Sequence, residues 1–503
     1  MVMFLPFLDR QSGESLQKQI VRQLAAAISS GTLRPGEPLA GIRECATNWG
    51  VSRNTVMLAL EHLEAEGYVE KRPSRGTYVH QTPPHSSEAA AETIALAEPD
   101  DITGADSVGS RPERTFADQN HSDFSSINLA GQVNLGFGSD QPVYRSLEWK
   151  RTIQKLFQYE NWKSGGQFQS NAGLPFLRNT LARWLTARHG TAVDERQVII
   201  ISGLQQAHSL IAQALLSPGM KVALEAPCYI GKRLLYEKMG MGIVDIPVNG
   251  KGVGIAGMDL SDVQLLCVNP GCQVPTNATL SLPRRRQLLA LAARNRTPVF
   301  EESMFDFLTL DGKSVPSLLS LSGGKTVIHA GLFAPALGGG MMLGYMVVPW
   351  PLLPAVLDTK LITDNGLPWL EQEALARFMD AGDLDEFLKR RRMTLMRRRD
   401  HLVSAMQHHL GEFRIFNARQ APRISWFLPA GVPDSATYVS KARKLNLQIP
   451  GDYPLRSATD PLTTDPASAD FRRLISHGYG ELAESGIEQA AQLMAQAATA
   501  SFV

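Results

Sequence analysis

Four consecutive side chains, Ser52-Arg53-Asn54-Thr55, carry the hydrogen-bonding groups needed to read base-pair edges. An arginine guanidinium can donate twice to guanine, an asparagine amide can pair with adenine, and serine or threonine hydroxyls reach phosphate or base edges. Arg43 is a further base or phosphate contact. Arg72 and Arg75 bring charge to a short RPSRG turn, where Gly76 permits close approach to a minor groove. A different chemistry is offered at Ser202-Gly203, where an apolar run gives way to Gln205 and a helical pattern. A strand-to-helix junction of this kind turns backbone N–H groups and a helix N-terminus toward a phosphate. By itself it is equally an ordinary turn.

The elements around Ser52 must position it. Ile20, Leu24 and Ile28 recur every fourth residue, with Val21 and Ala25 beside them, which predicts a first helix stopped by Gly31. A second helix is expected over 42–48, and Gly50 supplies the turn after it. Ser52 is the N-cap of a third helix reaching about Glu66, buried through Val56, Leu60 and Leu63 and ended by Gly67. Strands are expected over 68–71 and 77–80, with RPSRG as the wing between them. This is a winged helix-turn-helix, whose third helix enters the major groove by its N-terminal end. A winged helix can also serve as a protein-interaction module, but arginines at three of the expected contact positions favour DNA. Glu61, Glu64, Glu66 and Glu70 nearly balance the module's charge and are expected to face away from DNA.

Beyond residue 80 the composition changes. Residues 81–125 are rich in Pro, Ser, Ala and acid and poor in large apolar groups, so they read as a linker, with a short helix over 87–97. From about 126 onward, apolar strands at 198–202, 221–225, 264–268, 298–301 and 326–329 alternate with amphipathic stretches such as 174–188 and 205–216. That alternation implies a mostly parallel sheet covered by helices. The expected domains are therefore 1–80, a linker 81–125, a large lobe 126–349 and a small C-terminal lobe 350–503.

The formal net charge of +1 gives no bulk argument about nucleic acid, so any DNA surface must come from local placement of Lys and Arg. Cys45, Cys228, Cys267 and Cys272 show no metal-type spacing and are expected to be reduced thiols, with no metal bound. The N-terminus lacks a signal-peptide pattern and no apolar run is long enough for a membrane span, so a cytoplasmic location with no membrane partner is expected.

The segments GTLRPGEPL, IREC, GVSRNTV and LEHLEAEGYVEKRPSRGTYV resemble the DNA-binding domain of the GntR family over about residues 14–80. The segments SGLQQAHSLIAQALLSPGMKVALEAPCYIG, NAGLPFLRNTLARWL, VNPGCQVPTNATLSL and GLFAPALGGGMMLGYMVVP resemble fold-type I aminotransferases that depend on pyridoxal phosphate. A GntR-like module joined to such a domain is similar to the MocR subfamily. The resemblance implies a mostly α winged helix-turn-helix followed by an α/β aminotransferase-like large domain and a smaller α+β lobe. It also implies a homodimer binding double-stranded DNA at paired half-sites.

Set against that resemblance, the departures concern chemistry. Pro335, after Ala334, stands where the family has the lysine that forms a Schiff base with the cofactor, and Lys325, expected on the preceding strand, is ten residues earlier. Met342 stands where an arginine would hold the cofactor phosphate. Glu302 takes the place of the aspartate that pairs with the pyridinium nitrogen, and Met304 that of a tyrosine near the ring oxygen. Ser476 stands for a substrate-carboxylate arginine, with Arg472 and Arg473 close by in sequence. Tyr229 resembles the aromatic residue near the ring, Cys272 stands where a histidine is common, and Gly338-Gly339-Gly340 reads as a loop by the same cleft.

The expectation is therefore a transcriptional regulator with no catalytic residue and no bound cofactor. Ser202, Gly203, Tyr229, Glu302, Met304, Pro335 and Met342 would line a vestigial pocket. The aminotransferase-like part would supply dimerisation and sense an unknown small-molecule effector or a protein partner, or act as a scaffold alone. The competing expectation is an active aminotransferase with an accessory DNA-binding domain, against which Ala334-Pro335 argues. The run 389–392 with 397–399 is expected to be the solvated basic face of a helix rather than a second nucleic-acid patch.

Overall fold

The computed structural model describes residues 4–10, 12–73, 76–81, 132–158, 165–310, 315–411, 413–415, 421–449 and 471–499. The chain divides into two compact units, Met1–Arg111 and Pro112–Val503. The helix expected over 87–97 lies outside the described residues.

In the first unit, α1 (Leu16–Ser29) is capped by Ser15, whose hydroxyl accepts from the Lys18 N–H. α2 (Ile42–Trp49) ends at Gly50, whose left-handed φ of 66° lets the chain reverse into the next helix. α3 (Arg53–Ala65) is capped by Ser52, as its sequence predicts. β1 (Val69–Arg72) and β2 (Gly76–Val79) pair antiparallel, with Val69 opposite Val79 and Arg72 opposite Gly76. Both strands are displaced by one residue from their expected positions, because that register puts Val69 and Val79 together in the core. Ile20, Leu24, Ile28, Val56, Leu60 and Leu63 complete that core.

The second unit is built on an eight-stranded sheet. Its strands are β4 (Val198–Ile201), β5 (Lys221–Ala226), β6 (Gly242–Asn249), β7 (Gly252–Val253), β8 (Leu265–Val268), β9 (Val299–Ser303), β10 (Val327–Leu332) and β11 (Gly344–Val347). The spatial order is β4-β11-β10-β9-β8-β5-β6-β7. β11 runs antiparallel to both its neighbours, β7 closes a hairpin on β6, and the other pairings are parallel. β4 at the sheet edge and the central β8 are both buried on both faces, which is why Val198–Ile201 and Leu265–Val268 read as unbroken apolar runs without alternation.

Helices supply the crossovers. α4 (Leu147–Gln158) and α5 (Pro175–His189) precede β4, α6 (Leu204–Leu215) follows it, and α7 (Ile230–Lys238) joins β5 to β6. α8 (Leu282–Asn295) precedes β9, the short α9 (Leu318–Leu321) precedes β10, and the single turn α10 (Ala334–Leu337) links β10 to β11. The carboxyl ends of β4, β9 and β10 lie on one edge of the sheet, where open α/β sheets place ligands.

α11 (Leu353–Thr363), α12 (Trp369–Asp380) and the 28-residue α13 (Asp383–Leu410) open the part of the chain expected to form the small lobe. There β12 (Arg414–Ile415), β13 (Arg423–Phe427) and β15 (Leu474–Gly478) form an antiparallel sheet, with α14 (Ser435–Lys444) and α15 (Ile487–Thr499) packed nearby. One segment departs from the domain plan of the sequence. β3 (Val133–Asn134), expected in the large lobe, pairs in parallel with β14 (Leu447–Gln448) of the small lobe. Leu135 then accepts from the Gly478 N–H at 2.9 Å.

The basic run in α13 also differs from expectation. Lys389, Arg390 and Arg397 are exposed, but Arg391, Arg398 and Arg399 are buried. Arg398 grips Asp140 with two hydrogen bonds of 2.8 and 2.7 Å and donates to the Gly480 carbonyl. Part of the run is internal because Asp140 faces Arg391 and Arg398, the Gly480 carbonyl accepts from Arg398, and Asp400 pairs with Arg399. Among the described residues, no helix is long and apolar enough to cross a membrane.

Candidate nucleic-acid interface and cofactor-type cleft

Ser52 Oγ accepts from the Thr55 N–H at 3.1 Å and lies 2.8 Å from Thr55 Oγ1. The two hydroxyls that sequence assigns to phosphate or base edges are thus engaged in capping α3. Arg53 and Asn54 form its first turn and are exposed, as is Arg43 on α2. Met57, one turn beyond Arg53, is 38% exposed, a large apolar side chain at the same end of the helix. Sequence reasoning missed it, since an exposed methionine carries no signal of its own, although such a side chain suits contact with a thymine methyl.

On the wing, Arg72 is not a free charge. Its guanidinium pairs with Glu70 at 2.5 Å and lies 4.4 Å from the Tyr78 ring centroid. Gly76 is exposed with φ of 102°, and a Cβ there would meet nothing within 4 Å. Arg75 lies outside the described residues.

At the cofactor-type cleft, Ser202 and Gly203 connect the end of β4 to the start of α6. The Ser202 N–H, which sequence offers to a phosphate, donates instead to Gln206 Oε1 at 2.7 Å. Gln206 Nε2 bonds Asp364, itself paired with Lys360. A carboxylate is thereby brought to the helix end where an anion would be received. Met342, 54% exposed, directs its terminal methyl at Gly203, 3.5 Å from where a Cβ would stand. Pro335 lies within the single turn of α10. Lys325 does not lie on a strand: it precedes β10, at the end remote from Pro335, and is exposed. The Tyr229 ring folds over Gly231, with its hydroxyl 2.8 Å from where a Cβ on that glycine would stand. Met304 is half-buried against the core that contains Phe300.

The structure brings a lysine into this cleft that sequence did not identify. Lys232, on α7, is buried and places its ammonium 2.5 Å from Glu302 Oε1, while His208 Nε2 lies 3.4 Å from the same oxygen. Burial opposes both charges. The Glu302 carboxylate nonetheless holds the Lys232 ammonium above its ordinary pKa, and Lys232 holds Glu302 below its own. Burial also pushes the Cys272 thiol up, and its sulfur lies 3.5 Å from Asn277 Oδ1. Ser476 is buried against Ser425, Oγ to Oγ 3.0 Å, and Arg473 donates to the Leu428 carbonyl at 2.7 Å. A buried arginine on the neighbouring strand, Arg423, binds Asn277 Oδ1 and the Gln273 carbonyl.

The profile described as "Bacterial regulatory proteins, gntR family" matches residues 16–79, and "Aminotransferase class I and II" matches residues 130–430. The chain belongs to the GntR/MocR type of helix-turn-helix regulator, in which that module is joined to a fold-type I aminotransferase-like domain. Among its relatives, the probable rhizopine catabolism regulatory protein MocR of Rhizobium meliloti is 27% identical over 82% of each chain. The HTH-type transcriptional regulator TauR of Rhodobacter capsulatus is 28% identical over 80% of this chain and 81% of its own. The pyridoxine biosynthesis regulator PdxR of Corynebacterium glutamicum is 25% identical, covering 80% and 81%. An archaeal alanine:glyoxylate aminotransferase structure superposes with a TM-score of 0.66 at 21% identity, over 75% of this chain and 92% of that one. The Pyrococcus horikoshii kynurenine aminotransferase gives 0.65 at 23%, over 74% and 91%, a likeness of fold.

Proposed function

We propose that this protein is a sequence-specific DNA-binding regulator that reads base pairs with Arg53 and Asn54, and that its aminotransferase-like unit performs no transamination. The observation that carries the first part is the exposed first turn of α3, held open by the Ser52 cap. Arg43 and Gly76 add backbone contacts around it, and Arg75 adds charge on the wing. Replacing Arg53 by Ala is expected to cost about 1–3 kcal/mol for each contacted base pair and to relax the preference at that position. Binding to a selected duplex, measured by anisotropy at fixed salt, tests this; an unchanged affinity and preference would refute the assignment.

The second part rests on a cleft that does not fit pyridoxal phosphate. Pro335 has no amine to link to the aldehyde, and Lys232, beside Glu302, is held as an ammonium by that carboxylate, so it offers no lone pair for attack. The same ammonium engages the carboxylate that would meet a pyridinium. At the phosphate end, Gln206 takes the Ser202 N–H and is itself held by Asp364, and Met342 supplies no charge. Purified protein mixed with pyridoxal phosphate and desalted without reduction, so that labile surface aldimines dissociate, is expected to retain no cofactor absorbance. A retained band would overturn this reading. On it, the large unit serves as the dimerisation body that spaces two winged helices on paired half-sites, and as the seat of effector sensing.

A further inference from the structure

His189 is the last residue of α5, Asp306 lies in the turn after β9, and His329 is in β10. One ligand-capable atom from each lies within 4.8 Å of the other two. Asp306 Oδ2 is 2.9 Å from His329 Nε2 and 3.4 Å from His189 Nε2. Ligand atoms around a tetrahedral ion bound at about 2.0–2.1 Å stand about 3.3 Å apart; the His189 edge has that spacing, and the His329 edge, at hydrogen-bond length, would open by about 0.4 Å on binding.

The far nitrogen of each imidazole is already held. His329 Nδ1 is 2.9 Å from Glu301 Oε2, and the Glu301 carboxylate accepts the Leu318 and Leu319 N–H groups at 2.8 and 2.9 Å. His189 Nδ1 is 3.0 Å from Ser317 Oγ. Tyr345 donates to Asp306 Oδ2 at 2.9 Å. Partners on the outer nitrogen fix the tautomer and orientation of metal-binding histidines in this way. The inner nitrogen of His189 is the telling group: its side chain is only 6% exposed, and Nε2 makes no hydrogen bond. His189 and Asp306 also line a cavity of about 190 Å³, together with Arg188, Cys272 and Ser303.

We propose that His189, Asp306 and His329 bind one divalent transition-metal ion of the zinc class, with a coordination position open to this cavity. Two imidazoles and a carboxylate suit zinc, iron or cobalt and leave room for water or a small ligand. Glu301 lies next to Glu302 on β9, and strand alternation sends the two side chains to opposite faces. The proposed site is thus separate from the Lys232–Glu302 pair. The rival account is an internal network in which a His329 imidazolium alone bridges Glu301 and Asp306.

The test uses the full chain without a histidine tag, stripped by chelator and titrated with Zn²⁺ and with Co²⁺. The expected result is about one ion per chain and visible cobalt absorption of four-coordinate type. His189→Gln should weaken zinc binding by more than about tenfold and abolish the cobalt spectrum. Ser317→Ala, which leaves all three ligands in place, should weaken binding by about 10- to 100-fold, and it serves if His189→Gln does not fold. No ion retained by the wild type, or wild-type binding in both variants, would overturn the proposal in favour of the internal network.

Discussion

The Lys232 ammonium lies 2.5 Å from Glu302 Oε1, with both side chains buried between α7 and β9. Glu302, read in the sequence as the counterpart of a cofactor-binding aspartate, has its carboxylate engaged by an internal cation. Removing one charge would strand the other. Lys232→Met is expected to destabilise the large unit by about 3–5 kcal/mol, and Lys232→Met with Glu302→Gln by markedly less. Urea denaturation followed by tryptophan fluorescence measures both, and equal losses in the single and double variants would show that the pair is not coupled.

Ser52 caps α3 through the Thr55 N–H. Ser52→Ala is expected to lower the stability of the winged helix by about 1 kcal/mol, while Ser52→Asp keeps most of it. Circular dichroism melts of the three proteins give the comparison. A melt of Ser52→Ala superimposable on wild type would mean that the cap contributes nothing.

Glu225, buried on β5, has one carboxyl oxygen without a hydrogen bond, and burial pushes its pKa up to about 7 even though Lys232 pulls it down. Glu302 on β9 is the other charge nearby and opposes its ionisation. The folded state therefore holds this proton more tightly than the unfolded chain. Its contribution is fully present below about pH 4.5 and is lost as pH rises through about 7, a span of about 3 kcal/mol. Glu225→Gln should be more stable than wild type at pH 8 and show a flatter profile from pH 5 to 8. Denaturant midpoints at several pH values decide it, and parallel profiles would refute the assignment.

Arg398 holds Asp140 by two hydrogen bonds from inside α13. Asp140→Ala leaves that guanidinium buried without its carboxylate and is expected to cost about 3 kcal/mol. Arg397→Ala, on an exposed side chain, should change stability by less than about 0.5 kcal/mol. Comparable losses in both variants would show that burial does not separate these two arginines.

Local pattern was enough for the winged helix. Ile20, Leu24 and Ile28 mark its first helix, Ser52 caps the third, and Gly50 turns between them; each is a choice made within a few residues. The sheet strands were legible for the same reason, since Val198–Ile201 and Leu265–Val268 are apolar runs whose lengths suit buried strands. The absence of an amine at Pro335 is likewise a fact of residue type.

What sequence could not supply was which distant groups would meet. Lys232 and Glu302 are joined only because β5 and β9 lie in one sheet with α7 packed across them. His189, Asp306 and His329 come from a helix end, a turn and a strand. Buried Arg398 and exposed Arg397 are adjacent in one basic run, and the positions of Asp140 and the Gly480 carbonyl distinguish them. β3 belongs to the small lobe because β14 offers it a partner from the far end of the chain. Propensity, capping and periodicity act over a turn or two of backbone, so the sequence determined the elements and which residue type stands at each position. Burial and ion pairing depend on tertiary contacts between remote segments, and those contacts decided the surroundings of each group in the cleft.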